Sequence, residues 1–221
     1  MKNSTDIAEQ KGFSLVELMV VMFILLIVVG GSFMILSSGQ SAWFTTDTSI
    51  QVEENLRQGL GRLTRELSES GLDKNSILQM AITDNGGVNN SDILKFSIPV
   101  VCQTGASVMD ANGDVAYWRA PLTFGCMGSS CMDADNDCNT VDYKSLEYEM
   151  NSSNQLIRRV LNAVDGLVRQ DIVARNINDF QATLSADQKV VTLVLTGQAN
   201  SPLNRVVTAS KTVDVKLRNR R

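Results

Sequence analysis

The sequence predicts an α+β protein in which one long N-terminal helix packs on an antiparallel β-sheet. An unbroken apolar run over residues 13–36 begins the predicted helix, and leucines at spacings of three and four continue it to about residue 70. Short β-rich segments separated by turn residues then follow towards the C-terminus. The second half of the helix has to bury its apolar stripe, and a sheet is the natural cover for it.

Residues 1–12 form a short polar leader that contains two lysines and two acids. Residues 13–36 are long enough to span a bilayer, because about 1.5 Å per residue gives roughly 36 Å against a hydrocarbon core of about 30 Å. A secretory signal has a shorter apolar region. Lys11 lies beside the membrane entry, which favours a single crossing of the inner membrane with the C-terminal domain in the periplasm.

Glu17 stands near the start of the apolar segment, and no charged residue follows it from Leu18 to Thr46. An ionised carboxylate in hydrocarbon costs several kcal/mol, so acids placed there usually have a partner and a function. The alternative is a carboxylate that is merely tolerated near the membrane interface. We expect a functional role for Glu17.

The run GFSLVE at residues 12–17, followed by the apolar helix, resembles the class III signal of type IV prepilins and of type II secretion pseudopilins. In that family a dedicated prepilin peptidase cuts after the glycine and methylates the new N-terminus. The resemblance implies cleavage between Gly12 and Phe13 and N-methylation of Phe13. In the filament core the Phe13 amine would pair with Glu17 of a neighbouring subunit, which relieves two desolvation penalties and fixes the axial register.

Residues 37–71 form the amphipathic half of the predicted helix. Oppositely charged residues four apart predict ion pairs on its exposed surface, and Gly71 predicts its end. The expected pairs are Glu53–Arg57, Arg62–Glu66 and Arg65–Glu69. The expected buried stripe consists of Ile50, Leu56, Leu60, Leu63 and Leu67.

Residues 72–221 form the predicted β-rich head. Asn151–Asn154 predicts a hairpin turn, and Asp171–Asn178 predicts a short helix or an irregular crossover. The predicted strands are Ile93–Val101, Val115–Arg119, Lys144–Met150, Leu156–Leu161, Lys189–Thr196 and Lys211–Arg218.

A second resemblance concerns the order of the later features. The charged helix pattern of residues 57–67, the cysteine-bearing region after it and the closing run of residues 217–219 resemble PilW-type minor pilins. They are similar also to J-type pseudopilins of type II secretion. The resemblance implies a low-abundance subunit near the filament tip, in contact with other major and minor pilins and with the inner-membrane assembly platform.

Four cysteines, Cys102, Cys126, Cys131 and Cys138, lie in the part that is predicted to be extracytoplasmic, where disulfides form readily. Three pairings are possible, and we favour Cys102–Cys126 with Cys131–Cys138. Zinc is the alternative, although the chain has no histidine and no CxxC pair to form a zinc knuckle.

Asp133, Asp135 and Asp137 stand at alternate positions, as the acids of calcium loops do. An EF-hand would need glycine at the position of Cys138, so that specific motif fails. We expect a hydrated surface loop and keep calcium as the alternative. The same holds for a weaker match at Asp110–Asp114.

The composition excludes several classes of function. The chain has no histidine, which removes Ser-His-Asp, Cys-His and HExxH chemistry, and it has no phosphate-binding Gly-Lys-Ser/Thr loop. We therefore expect neither an enzyme nor a cofactor. The net charge of −4 argues against a nucleic-acid partner. The basic stretch Lys211–Arg221 predicts a solvated strand and tail, or else a contact to a neighbouring subunit.

The resemblances therefore imply a minor type IV pilin, a structural subunit that is anchored in the lipid of the bacterial inner membrane and later assembled into an extracellular pilus, in a priming or tip complex. Two alternatives remain open. One is a minor pseudopilin of a type II secretion system, and the other is a membrane-anchored periplasmic binding or adhesive module, with or without calcium. Dependence on Glu17 separates this last class from the others, because an anchored binder does not need that acid.

Overall fold

A computed structural model describes residues 14–100, 108–124 and 143–218. They form two compact units, one ending at Thr46 and the other beginning at Asp47. Helix α1, Leu15–Ser68, contributes to both units. Its end at Ser68 agrees with the stop that Gly71 predicts, while Phe13, the predicted start, lies outside the described residues.

In the second unit, α1 buries one face against β-sheets, so the α+β class is confirmed. The buried apolar residues of this face are Val52, Leu56, Leu60, Leu63 and Leu67. The prediction for Ile50 was wrong, since its side chain is 62% exposed and Val52 takes its place. Ile50 precedes Leu56 by six residues, which at 3.6 residues per turn places it well off the face that Leu56 shares with Val52.

Within the described residues ten strands follow α1, and all their pairings are antiparallel. They are β1 Met80–Thr83, β2 Ile93–Phe96, β3 Ile98–Pro99, β4 Trp118–Arg119, β5 Ser145–Met150, β6 Gln155–Leu161, β7 Leu167–Arg175, β8 Ile177–Leu184, β9 Val190–Asn200 and β10 Val206–Lys216. One sheet has the order β1-β2-β5-β6-β7 and a second has the order β10-β9-β8, while β3 pairs with β4. The sequence predicts one antiparallel sheet, whereas the described strands form three separate antiparallel sheets.

The hairpin turn predicted at residues 151–154 is confirmed. The Asn151 amide donates to the Gln155 carbonyl, and Asn154 has a φ of 55°, a conformation that asparagine tolerates well. Of the two alternatives for Asp171–Asn178, the short helix was wrong, because these residues end β7 and begin β8. The irregular crossover agrees with the structure. Between the two strands Asn176 has a φ of 58°, and the chain passes there from one sheet to the other.

Two glycines allow α1 to approach the sheets closely. A Cβ atom on Gly59 would lie 3.0 Å from the Ala174 Cβ and 3.1 Å from the Leu195 Cδ2. A Cβ atom on Gly197 of β9 would lie 2.8 Å from the Val52 Cγ1. Ala174 belongs to β7 of the five-stranded sheet, and Leu195 belongs to β9 of the three-stranded sheet. At Gly59 the helix therefore contacts both sheets.

Candidate assembly site

Ser14 and Glu17 together close the start of α1. The Ser14 Oγ accepts a hydrogen bond from the Val16 amide at 3.3 Å, and the Glu17 Oε2 accepts one from the Ser14 amide at 3.0 Å. This reciprocal arrangement is a capping box, in which two backbone donors without partners in the helix are satisfied by side chains. Glu17 therefore has a structural task within its own chain, in addition to any role between chains.

The sequence itself contains a signal for this capping box. Serine followed three residues later by glutamate, immediately before an apolar run, is the pattern of a helix N-terminus. The geometry directs the Glu17 carboxylate back towards the N-terminal end of α1. Among the described residues no cation lies within ion-pair distance of that carboxylate.

The apolar part of α1 has no cover in the single chain. All residues from 14 to 40 are exposed, including the large apolar side chains on every face of the helix. The most apolar window of α1 has a mean hydropathy of 2.9, and the helix is long and apolar enough to cross a membrane. Gly30 and Gly31 have no neighbouring atoms within 4 Å at the position of a Cβ. Such a surface needs lipid or other apolar helices around it.

A second arrangement of charges lies buried between α1 and the five-stranded sheet. Glu66 is 5% exposed and Arg158 of β6 is 1% exposed, and the Arg158 Nη2 lies 2.9 Å from the Glu66 Oε1. The Arg158 Nε donates to both Glu66 oxygens, and the Tyr148 hydroxyl donates to the Glu66 Oε2 at 2.6 Å. The predicted Arg62–Glu66 pair was wrong, because Glu66 faces the sheet and has Arg158 as its partner.

The remaining donors of Arg158 are also engaged. Its Nη2 donates to the Pro121 carbonyl at 2.6 Å and its Nη1 to the Leu122 carbonyl at 3.3 Å. The group thus joins α1, two strands and the segment after β4. Alternation in β6 is the signal that sequence reasoning missed, since Leu156, Arg158 and Val160 share one face of the strand and all three are buried.

Burial and the neighbouring Glu66 carboxylate raise the pKa of the Tyr148 hydroxyl well above its ordinary value of 10.0. Removing the hydroxyl proton would place a second negative charge beside the carboxylate in a buried site. Tyr148 therefore stays a neutral donor at physiological pH.

Several predicted site residues lie outside the described part of the chain. The roles assigned to these residues therefore remain predictions. They are Gly12, Phe13, Cys102, Cys126, Cys131, Cys138, Asp133, Asp135 and Asp137. Within residues 14–100, 108–124 and 143–218 no group of three or more acid, histidine or cysteine side chains is placed to hold a metal ion.

The weaker calcium match at residues 110–114 is described. The Asp110 Oδ1 accepts hydrogen bonds from the amides of Asn112 and Asp114 at 2.8 and 2.9 Å. Gly113 closes the loop with a φ of +78°, and its amide donates to the Asp110 carbonyl. The carboxylate of Asp110 is thus used by the turn itself.

The family model of the prokaryotic N-terminal methylation motif matches residues 7–33. No curated protein and no solved structure matches the chain. The matched segment contains the Ser14–Glu17 box and most of the exposed apolar helix. It indicates a type IV pilin-like prepilin that is anchored in the membrane by this helix, and it implies processing by prepilin peptidase and assembly with other pilins.

Proposed function

We propose that this chain is a minor type IV pilin, which takes part in a priming or tip complex rather than forming the bulk of the filament. Prepilin peptidase cuts between Gly12 and Phe13 and methylates Phe13. The mature chain is anchored in the inner membrane, with the head of residues 72–221 in the periplasm, until it is assembled into the filament. No catalytic step is assigned to it.

One observation carries this proposal: the α1 surface over residues 15–36 is apolar on all sides and exposed, with one acid at its N-terminal end. Lipid can cover such a helix before assembly, and apolar helices of other subunits can cover it afterwards. Glu17 is the acid that the methylated amine of a neighbour would meet. The pairing would stabilise only one axial position, because both charges are costly in an apolar core without a partner.

The first test is the N-terminus of the protein made with and without prepilin peptidase. Mass spectrometry of the intact chain and of its N-terminal peptide should find Phe13 as the first residue, with one added methyl group, only when the peptidase is present. A chain that keeps residues 1–12 in the presence of the peptidase would exclude the pilin assignment.

The second test separates the two tasks of Glu17. Glu17→Gln keeps an oxygen acceptor at the third position of the helix but removes the charge, whereas Ser14→Ala keeps the charge and weakens the cap. We expect both variants to be cleaved. We expect Glu17→Gln to be lost from sheared filaments and Ser14→Ala to remain in them. Equal incorporation of both variants would contradict the role of the charge.

The methylation motif is common to pilins and to type II pseudopilins, and the likeness of residues 57–67 to PilW-type subunits favours the pilus. Deleting the gene should therefore reduce surface pili and leave the secretion of exported enzymes unchanged. Loss of secretion with normal piliation would instead assign the chain to the secretion system.

A further inference from the structure

Strand β10 is a long outer strand that has neither a bulge nor a proline to protect its edge. It pairs with β9 over Val206–Lys216 in one continuous register, with no bulge and no proline. Natural sheets usually shorten, bulge or cover such an edge, because its free backbone groups can pair with another chain.

The register shows which backbone groups of β10 are directed outward. The Leu217 amide donates to the Lys189 carbonyl, and the Ser201 amide donates to the Arg205 carbonyl. Both pairs follow the β9–β10 register, so odd-numbered residues of β10 form the hydrogen-bonded pairs and even-numbered residues direct their backbone groups away from β9. The Arg218 amide confirms this alternation, since it donates to the Ser68 carbonyl of α1. The described residues offer no backbone partner to the outward groups of Val206, Thr208, Ser210, Thr212, Asp214 and Lys216.

The other sheet edges are shorter, irregular or covered. The outer side of β8 receives the segment before β2, where the Asp92 amide donates to the Phe180 carbonyl and the Ala182 amide donates to the Asp92 Oδ2. Strand β7 has two irregularities in its register with β6. Strand β1 has four residues. In the described part of the chain β10 is thus the long, regular edge.

The β10 edge is also basic within an acidic protein. Arg205, Lys211, Lys216 and Arg218 are all exposed, and Asp214 is the one acid among residues 205–218. Lys211 stands at the middle of the strand, where a second copy paired about its centre would place a like charge opposite it. The edge therefore disfavours pairing with itself and favours a strand that contains acids.

A groove next to this edge provides room for side chains. It has a volume of about 690 Å³ and lies between the end of α1 and β10. Arg65, Lys216 and Arg218 line it together with Glu69 and Asp214. The cations outnumber the acids, so the groove suits a carboxylate that extends from an added strand.

We propose that the outer edge of β10 binds an acidic, extended segment of another protein by strand addition. Backbone hydrogen bonds to the even-numbered residues provide affinity, and the basic side chains select acidic segments. This inference does not rest on the pilin assignment, and a failure of either would leave the other standing.

The test uses the full chain in zwitterionic detergent micelles and a synthetic probe. The probe is a fluorescent heptapeptide in which glutamate alternates with valine and threonine, and its control has lysine in place of each glutamate. Fluorescence anisotropy should detect binding of the acidic peptide and at least tenfold weaker binding of the basic one. Equal binding of the two peptides, or no binding of the acidic peptide at millimolar concentrations of the protein, would overturn the proposal.

Residue-level hydrogen exchange gives a signature that is specific to strand addition. Without the peptide, the amides of Thr208, Ser210 and Thr212 should exchange quickly while those of their odd-numbered neighbours are slow. The acidic peptide should slow the even-numbered amides alone. If these amides are already slow in the free chain, the edge is covered by the chain's own residues and the proposal is wrong.

Two variants of the protein test whether the outward backbone N–H of residue 212 binds the peptide. Thr212→Pro removes an outward N–H without removing a bond to β9, and prolines are tolerated on edge strands. Thr212→Ala keeps that N–H. We expect the acidic peptide to bind the proline variant at least tenfold more weakly and the alanine variant within twofold of the wild type. Unchanged binding to a folded proline variant would contradict strand addition, and if that variant does not fold, the exchange pattern of the wild type decides.

Discussion

Arg158 is a fully buried cation whose charge is matched by the Glu66 carboxylate and whose other donors reach two carbonyls. Removing charges from water costs several kcal/mol per ion, and the pair recovers this only because its hydrogen bonds are complete. Such a group adds little net stability compared with a well-packed apolar pair, but breaking it is costly. It also restricts how α1 can sit on the sheet, since a shift of one residue along the helix would separate the Glu66 carboxylate from Arg158.

Replacing Arg158 by methionine should therefore destabilise the head by about 3–5 kcal/mol, because the Glu66 carboxylate would remain buried without a positive charge beside it. The double variant Glu66→Gln with Arg158→Met should recover part of this loss. Urea unfolding of the full chain in micelles measures both effects. Arg175→Met, at an exposed position, is the control and should change the free energy of unfolding by less than about 0.5 kcal/mol. A small effect of Arg158→Met would contradict the burial of the pair.

The raised pKa of Tyr148 predicts a pH dependence with a definite sign. In the unfolded chain Tyr148 loses its proton near pH 10.0, but in the folded chain it keeps the proton to a higher pH. The stability that the neutral hydroxyl provides is therefore complete below pH 10 and falls as the pH rises towards the folded pKa, by about 1.4 kcal/mol per pH unit.

Tyr148→Phe should isolate this contribution. At pH 8 the variant should be less stable by about 1.5–3 kcal/mol, because a hydrogen bond to a charged acceptor is lost. Above pH 10 the difference between wild type and variant should narrow. Urea unfolding at several pH values measures the difference, and a constant gap up to pH 11.5 would show that the pKa of Tyr148 is not raised.

At the scale of elements, local sequence patterns predict the helix and the hairpin turn better than they predict how the chain passes from one sheet to the other. The end of α1 and the turn at residues 151–154 depend on nearby residues, so the sequence indicates them directly. The change of sheet at Asn176 depends on tertiary packing, so the residues of Asp171–Asn178 alone leave a helix and a crossover both open. The candidate site has the same limit: hydropathy identifies Glu17, whereas Arg158 is recognised only once β6 is seen against α1.

The two glycines at the middle of the second half of α1 offer a matched pair of tests. Gly61 has open space around a Cβ, so Gly61→Ala should stabilise the head by about 0.5–1 kcal/mol through helix propensity. Gly59→Ala should instead destabilise it, because its Cβ would meet the Ala174 Cβ at 3.0 Å, and that atom is fixed to the backbone of β7. Thermal unfolding compares the variants, and stabilisation by both would mean that α1 and the sheets are further apart.

At the scale of the whole molecule, the two units need different surroundings. The unit up to Thr46 exposes an apolar helix, whereas the unit from Asp47 has an apolar core and a surface that includes the basic β10 edge. Lipid or a filament core satisfies the first unit, and water or a protein partner satisfies the second. We therefore expect the two units to lose their structure under different conditions, and a free energy of unfolding then describes the head rather than the full chain.

The two tryptophans should report these units separately. Trp118 lies in β4 with its indole nitrogen buried, whereas Trp43 of α1 is 72% exposed. In micelles, Trp43→Phe leaves Trp118 as the reporter, and its emission should shift to the red in one cooperative step with urea. Trp118→Phe leaves Trp43, whose emission should change gradually, because detergent holds the apolar helix after the head has unfolded. A cooperative change of Trp43 at the same urea midpoint would mean that the helix before Asp47 loses its structure together with the head.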